Sequence, residues 1–151
     1  MDYPIQRYAR DARITSIYEG TTQLQVVAAI RFVMNGAYLA HLRELEQQEV
    51  SPETKELQER ARKMADSFEA AVERVKAAGV QEYQDICARH LVEMAADTLM
   101  LHLLTYNATQ APELFGKSAR VYARYAAAEV EKHATFVNEL SPEDLDSYRQ
   151  A

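Results

Sequence analysis

The chain has 151 residues and a formal charge of −6, a length that suits one domain able to bury roughly 68–70% of its unfolded surface. Gly and Pro number only four each, where average usage of about 7% and 5% would give roughly eighteen together, so a many-stranded sandwich or barrel with many tight turns is excluded. Net charge is negative in the first fifty residues, the next ninety and the last eleven alike, which leaves no basic patch for nucleic acid.

The single Cys87 has no partner for an internal disulfide, which fits a reducing, cytoplasmic setting. No apolar run approaches the roughly 18 residues that a membrane span needs. Met1-Asp2-Tyr3-Pro4-Ile5-Gln6-Arg7 lacks the charged-then-apolar order of a signal peptide. The chain reads as soluble and intracellular. Because patterned sequence begins directly at Met1, it also reads as a domain cut from a longer protein.

Helical spacing runs throughout. Residues 4–18 place Ile5, Tyr8, Ala9, Ala12, Ile14 and Ile17 on helical intervals, with Arg7, Arg10 and Arg13 three apart and Pro4 tolerable in a first turn. Glu19-Gly20-Thr21-Thr22 stops that run. A second helix is expected from Gln23 to about Gln48 through Leu24, Val26, Val27, Ile30, Val33 and Met34. Thr22 with Gln25 has the form of a capping box at its start. Gly36 inside that stretch costs helix stability and suggests a close helix contact.

Ser51-Pro52-Glu53 is a restart signal: an N-cap residue, Pro in the first turn and an acid suited to the helix dipole. Leu57, Ala61, Met64, Phe68, Ala71, Val75 and Ala78 then alternate four and three apart, and Gly79 follows as a C′ residue. So narrow a seam is that of a bundle helix, and it suggests contacts between subunits. Residues 81–110 carry a broader apolar surface with Ile86, Leu91, Met94, Leu99, Leu101 and Leu104, as expected of the most buried element. Pro112-Glu113 opens a helix to about Asn138, with Leu114, Val121, Tyr122, Tyr125, Val130 and Phe136 expected in the core. Ser141-Pro142-Glu143-Asp144 begins one last turn before a polar tail. The fold class is therefore all-α, an antiparallel helical bundle.

Most candidate sites fail on spacing. The residues three before His41, His90, His102 and His133 are Tyr38, Cys87, Leu99 and Val130, so no Glu-x-x-His di-iron motif exists. Cys87-x-x-His90 offers two ligands on one turn and no second pair, which favours a buried thiol beside a helix histidine over a metal site. Glycines at 20, 36, 79 and 116 form no phosphate loop. Tyr122 and Tyr125 lack basic flanks in excess and read as core or groove lining rather than a base-stacking platform.

One segment stands apart. In Asp11-Ala12-Arg13-Ile14-Thr15-Ser16-Ile17-Tyr18-Glu19-Gly20-Thr21-Thr22-Gln23-Leu24-Gln25 a carboxylate stands between two helices, followed by glycine, two hydroxyls and an amide at a helix start. Gly20 lets a ligand approach the backbone. Free amides of the next helix suit a phosphate. A desolvated Glu19 would gain basicity. The plainer alternative is a loop acid beside a capped helix.

These residues also closely resemble a known signature. Tyr3-Pro4-Ile5-Gln6-Arg7, Arg10-Asp11-Ala12-Arg13-Ile14 and Ile17 through Gln25 are similar to the C-terminal signature of flavin-dependent acyl-CoA dehydrogenases, a likeness covering about the first fifty residues. The continuation Gln25-Val26-Val27-Ala28-Ala29-Ile30-Arg31 resembles members with an additional C-terminal helical domain. The resemblance implies a division into residues 1–50, the end of the dehydrogenase helical domain, 51–140, a helical extension, and 141–151, a polar tail.

It further implies that Glu19 is the base that removes the α-proton of an acyl thioester while the β-hydrogen leaves as hydride to FAD. The Glu19 backbone amide would help polarise the thioester carbonyl. Gly20 matches a substrate-contacting position, and Thr21, Thr22 and Gln23 match flavin-contacting ones. Arg31 lies where a CoA phosphate would come within its reach. Members with their base elsewhere carry Gly at the position of Glu19. Electron-transferring flavoprotein is the implied electron acceptor and a homo-oligomer, dimer or tetramer, the implied assembly. The dehydrogenase's N-terminal helical and middle β-domains have no counterpart in these residues, so the chain alone is expected neither to hold FAD tightly nor to turn over acyl-CoA. The alternative from another class is a non-catalytic helical oligomerisation module.

Overall fold

The computed structural model describes Arg10, Arg13 and residues 22–146. Arg10 and Arg13 have helical backbone, and both are exposed. Five α-helices follow: α1 (Thr22–Met34), α2 (Ala37–Leu45), α3 (Lys55–Ala78), α4 (Gln81–Gln110) and α5 (Pro112–Glu139). Single 3-10 turns, Pro52–Thr54 and Pro142–Leu145, precede α3 and follow α5. There is no strand among the described residues, and the all-α expectation holds.

Local chemistry sets the helix ends. Gly79 closes α3 in the left-handed region, φ 63°, with its N–H donated to the Lys76 carbonyl, as a C′ glycine does. Only Val80 then separates it from α4, and Ala111 alone joins α4 to Pro112. Connections this short force antiparallel neighbours. Cross-helix bonds follow that register. Thr54 Oγ1 lies 2.7 Å from Thr109 Oγ1 at one end, and Tyr83 donates to the Val137 carbonyl at 2.8 Å at the other. Ser51 behaves differently from an α-helix N-cap. Its carbonyl accepts from the Thr54 N–H at 3.0 Å and closes the 3-10 turn, and its side chain makes no capping bond.

The core is layered around α4. From α3 come Leu57, Ala61, Met64, Ala65, Phe68, Ala71, Val72 and Val75; from α4, Tyr83, Cys87, Leu91, Met94, Leu101 and others. The α3 seam therefore faces its own chain and is not the subunit contact that its spacing suggested. Val26, Ile30 and Val33 bury one side of α1, which packs on α4, and Leu42 of α2 joins the same core. Arg43 ties α2 to α3 through Asp66 at 2.7 Å and Glu69 at 2.6 Å, while its other nitrogen holds the buried Glu46.

Two expectations need correction. The helix expected over residues 23–48 is two helices, broken at Gly36 with φ 85°. A Cβ there would meet nothing within 4 Å, so the glycine serves left-handed backbone and not a close helix contact. On α5, Leu114, Val121, Tyr125 and Phe136 were expected inside but are exposed, as is Ile86 on α4. The buried α5 residues are Gly116, Ala119, Ala123, Ala126, Val130, His133 and Val137. Bulky side chains point outward because small ones let α5 lie close to α3 and α4. After α5, Leu145 is buried and Asp144 accepts from the Ser141 N–H at 2.8 Å, so the final turn is docked.

Gly36→Ala should lower unfolding stability by about 1 kcal/mol, because alanine resists the left-handed region, with Gly36→Asn costing less. Phe68→Ala should cost about 3–5 kcal/mol. Urea denaturation followed by circular dichroism measures both.

Candidate functional site

The motif around Glu19 abuts α1. Glu19, Gly20 and Thr21 lie outside the described residues, as does the helix expected over residues 4–18 apart from Arg10 and Arg13. Thr22 is the first residue of α1 and Gln23 the second; their side chains, and with them the expected capping box, also lie outside what is described. The structure thus places the helix start, whose first N–H groups have no partner inside the helix. Arg31 is exposed, its guanidinium carbon 5.9 Å from the centroid of the Phe32 ring.

A polar line crosses the α4–α5 seam, and spacing alone did not reveal it. His90 Nδ1 lies 2.8 Å from His133 Nδ1. Phe136 stacks on His90 with centroids 3.9 Å apart at 15°. Glu129 approaches the other side of His133, its carboxylate 3.9 Å from Nε2, and also pairs with Lys132. Two turns along, Tyr122 donates to Asp97 at 2.8 Å. The clue in sequence was pairing in antiparallel register, since 90 with 133 and 97 with 122 fall opposite once Ala111 is the turn.

The chemistry of that line is limited. Two Nδ1 atoms so close share one hydrogen, so one ring donates and the other accepts. Burial holds both histidines below their ordinary pKa; for His90 the neighbouring His133 adds to it, for His133 the Lys132 charge does. Burial, with Glu93 and Glu129 nearby, raises the Asp97 carboxyl against the lowering effect of the Tyr122 bond. No three His, Cys, Asp or Glu side chains among the described residues converge on a metal position. Cys87 is buried and burial raises its thiol pKa, which keeps it protonated and unreactive.

His102 is also buried. Its Nε2 has no hydrogen-bond partner among the described residues. Burial, with the charges of Arg43 and Arg62, pushes its pKa down to about 4.

Each of His90, His102 and His133 binds its proton more weakly folded than unfolded. Unfolding therefore takes up protons, and stability present above pH 6.5 is lost as pH falls below it. The melting temperature should be flat between pH 8 and 7 and fall between pH 6.5 and 4. The limiting slope is about 1.4 kcal/mol per pH unit for each proton. Replacing His102 by Leu should flatten the lower part of that profile, read by thermal denaturation at a series of pH values.

No helix among the described residues is long and apolar enough to cross a membrane. Compared with known proteins, the chain is similar to an acyl-CoA dehydrogenase of Bacillus subtilis, 43% identical over 35 residues. It is also similar to a probable acyl-CoA dehydrogenase, FadE25, of Mycobacterium tuberculosis, 52% identical over 33 residues. These matches span 23% and 22% of this chain but only 9% and 8% of those proteins. Among solved structures, an acyl-CoA dehydrogenase family protein from Porphyromonas gingivalis superposes with a TM-score of 0.71 at 40% identity, over 76% of this chain and 99% of that one. Residues 34–145 match the model of the family described as acyl-CoA dehydrogenase C terminal. That match spans α2 to the buried Leu145 of the final 3-10 turn, and the chain belongs to this family.

Proposed function

We propose that this chain is the C-terminal segment of an FAD-dependent acyl-CoA dehydrogenase and that Glu19 is the base of its reaction. The observation that carries the reading is the run Ile17 to Gln25, whose last four residues begin α1, in a chain of this family. The proposed division keeps residues 1–50 as the end of the dehydrogenase helical domain, 51–140 as extension and 141–151 as polar tail. A cytoplasmic setting, electron-transferring flavoprotein as acceptor and a homo-oligomeric assembly belong to the same reading.

The chemistry assigned to the chain is proton removal beside a thioester. A carboxylate at Glu19 takes the α-proton of the acyl group, and the electron pair of that C–H bond moves into the new α,β double bond. The β-hydrogen departs with its own pair, so one proton and one hydride leave and the acyl chain is oxidised by two electrons. The Glu19 N–H donates to the thioester carbonyl, where negative charge develops as the α-proton leaves. Gly20 gives the acyl group room against the backbone.

The residues at the start of α1 suit a flavin. A helix N-terminus favours electron-rich or anionic oxygen, and Thr21, Thr22 and Gln23 would add hydroxyl and amide contacts. FAD, when bound, supplies the two-electron acceptor. Much of the support for such a cofactor is expected in parts of the parent outside this chain, so the isolated chain should purify without flavin and without turnover.

In the full-length parent, Glu19→Gln should lower turnover by about 10²–10⁴-fold with flavin absorbance retained. Retained turnover would overturn the assignment of the base.

A further inference from the structure

Helix α5 is built with its sizes reversed. Its buried line is Gly116, Ala119, Ala123, Ala126 and Val130. Its opposite line is Leu114, Ser118, Val121, Tyr125, Ala128, Lys132 and Thr135, again alternating four and three apart. Leu114 and Val121 are each 69% exposed and Tyr125 58%, whereas Ala123 and Ala126 are at most 1%. A helix that packed on one side only would keep its large apolar residues inside. A second alternating seam is the pattern of a second helix partner.

We propose that this outer seam of α5 pairs with the same seam of a second copy of this chain, antiparallel about a twofold axis level with Ala123. The proposal rests on the reading of the assembly as a homo-oligomer and supplies its surface.

Three features favour a second copy. First, the seam is self-complementary. Antiparallel pairing about that point sets Tyr125 against the partner's Val121, Ser118 against the partner's Ala128, and the Lys132 stem over the partner's Leu114. Of these three layers, the outer two set an aromatic ring or a lysine stem against an aliphatic side chain, and the layer between them is small against small. Second, the flanking charges are opposed. Lys117 of one copy falls beside Glu131 of the other, twice by symmetry. Both residues are exposed, and neither makes an ion pair within the described residues. Arg124, near the axis, lines instead a cleft with Glu53 and Glu56 on the α3 side. Third, a groove of about 620 Å³ runs beside the seam between α4 and α5, walled by Leu104, Tyr122 and Tyr125 with Lys117 at its edge. Tyr122 is fixed there by its bond to Asp97. Exposed Met100, one turn from Leu104, widens the same apolar surface.

Sedimentation equilibrium of the 151-residue chain tests this. Wild type should sediment as a dimer. Val121→Glu with Tyr125→Glu should give the monomer mass with the helical circular dichroism signal retained, since both side chains are exposed. Lys117→Glu should weaken the dimer about tenfold or more, because each attractive pair becomes repulsive, and adding Glu131→Lys should restore it. A dimer that persists in the double glutamate variant overturns this surface but keeps the homo-oligomer reading. A wild type that stays monomeric also overturns this surface. Failure of Glu131→Lys to rescue overturns the register, and that charge exchange also decides the matter if the double variant loses helicity.

Discussion

The long helix α4 is the constraint on which the other elements depend. Its 30 residues make a rod of about 45 Å, and each of α1, α2, α3 and α5, with both 3-10 turns, packs against it. An element buried on several sides has few places for polar groups, and α4 solves this within itself. Thr98 donates to the Met94 carbonyl at 2.7 Å and Thr105 to the Leu101 carbonyl at 2.8 Å, so both hydroxyls are buried without help from a neighbour. The exception is His102. Its unpartnered nitrogen sits where α2, α3 and α4 meet, beside the Arg43–Glu46–Arg62 cluster, and an added proton there would face two guanidinium groups.

A rod as central as α4 also decides how close its neighbours lie. The α5 side of the seam is made of glycine and alanine for more than two turns, which brings backbones together and leaves little apolar area per residue to bury. The loss is offset by specific polar contacts: His90 with His133, Asp97 with Tyr122, Tyr83 with the Val137 and Leu140 carbonyls. Buried polar contacts of this kind fix register, because each donor must meet its acceptors at one height. Close packing inward has an outward consequence. The large side chains of α5 are left to solvent, each forgoing roughly 1.5–3 kcal/mol of burial unless another surface covers them.

The sequence disclosed helix existence and ends more readily than helix facing. The α3 seam was legible because its outward positions are charged, so only one stripe was apolar. The ends at Gly79 and Pro112 were legible because they depend on backbone chemistry within one or two residues. The break at Gly36 was not, since apolar positions continue in helical phase on both sides and nothing but the glycine's φ marks the bend. For α5 two apolar stripes competed, and ranking by hydrophobicity mixed them: Val130 is buried and Tyr122 half-buried as expected, but Leu114, Val121, Tyr125 and Phe136 face outward. Side-chain volume was the better guide, because close helix approach selects for smallness and not for hydrophobicity. The motif around Glu19 was legible as chemistry, in residue types and order. Its geometry depends on residues outside those described.

Between motif and bundle stands α1, and its packing determines how firmly one is held to the other. Val26, Ile30 and Val33 recur at helical spacing and bury against α4, which fixes the direction of the α1 axis. Gly36 then turns the chain so that α2 also reaches α4 and, through Arg43, α3. A glycine at φ 85° bends the chain sharply while leaving each helix intact, which a side-chain-bearing residue does only under strain. Two short helices, each marginal alone, thus become one clamp on the largest core element. The aim of the α1 N-terminus is therefore a property of the whole bundle, and cavities opened in α4 beneath Val26 or Ile30 would be felt at Thr22 before they were felt at the far end of α5.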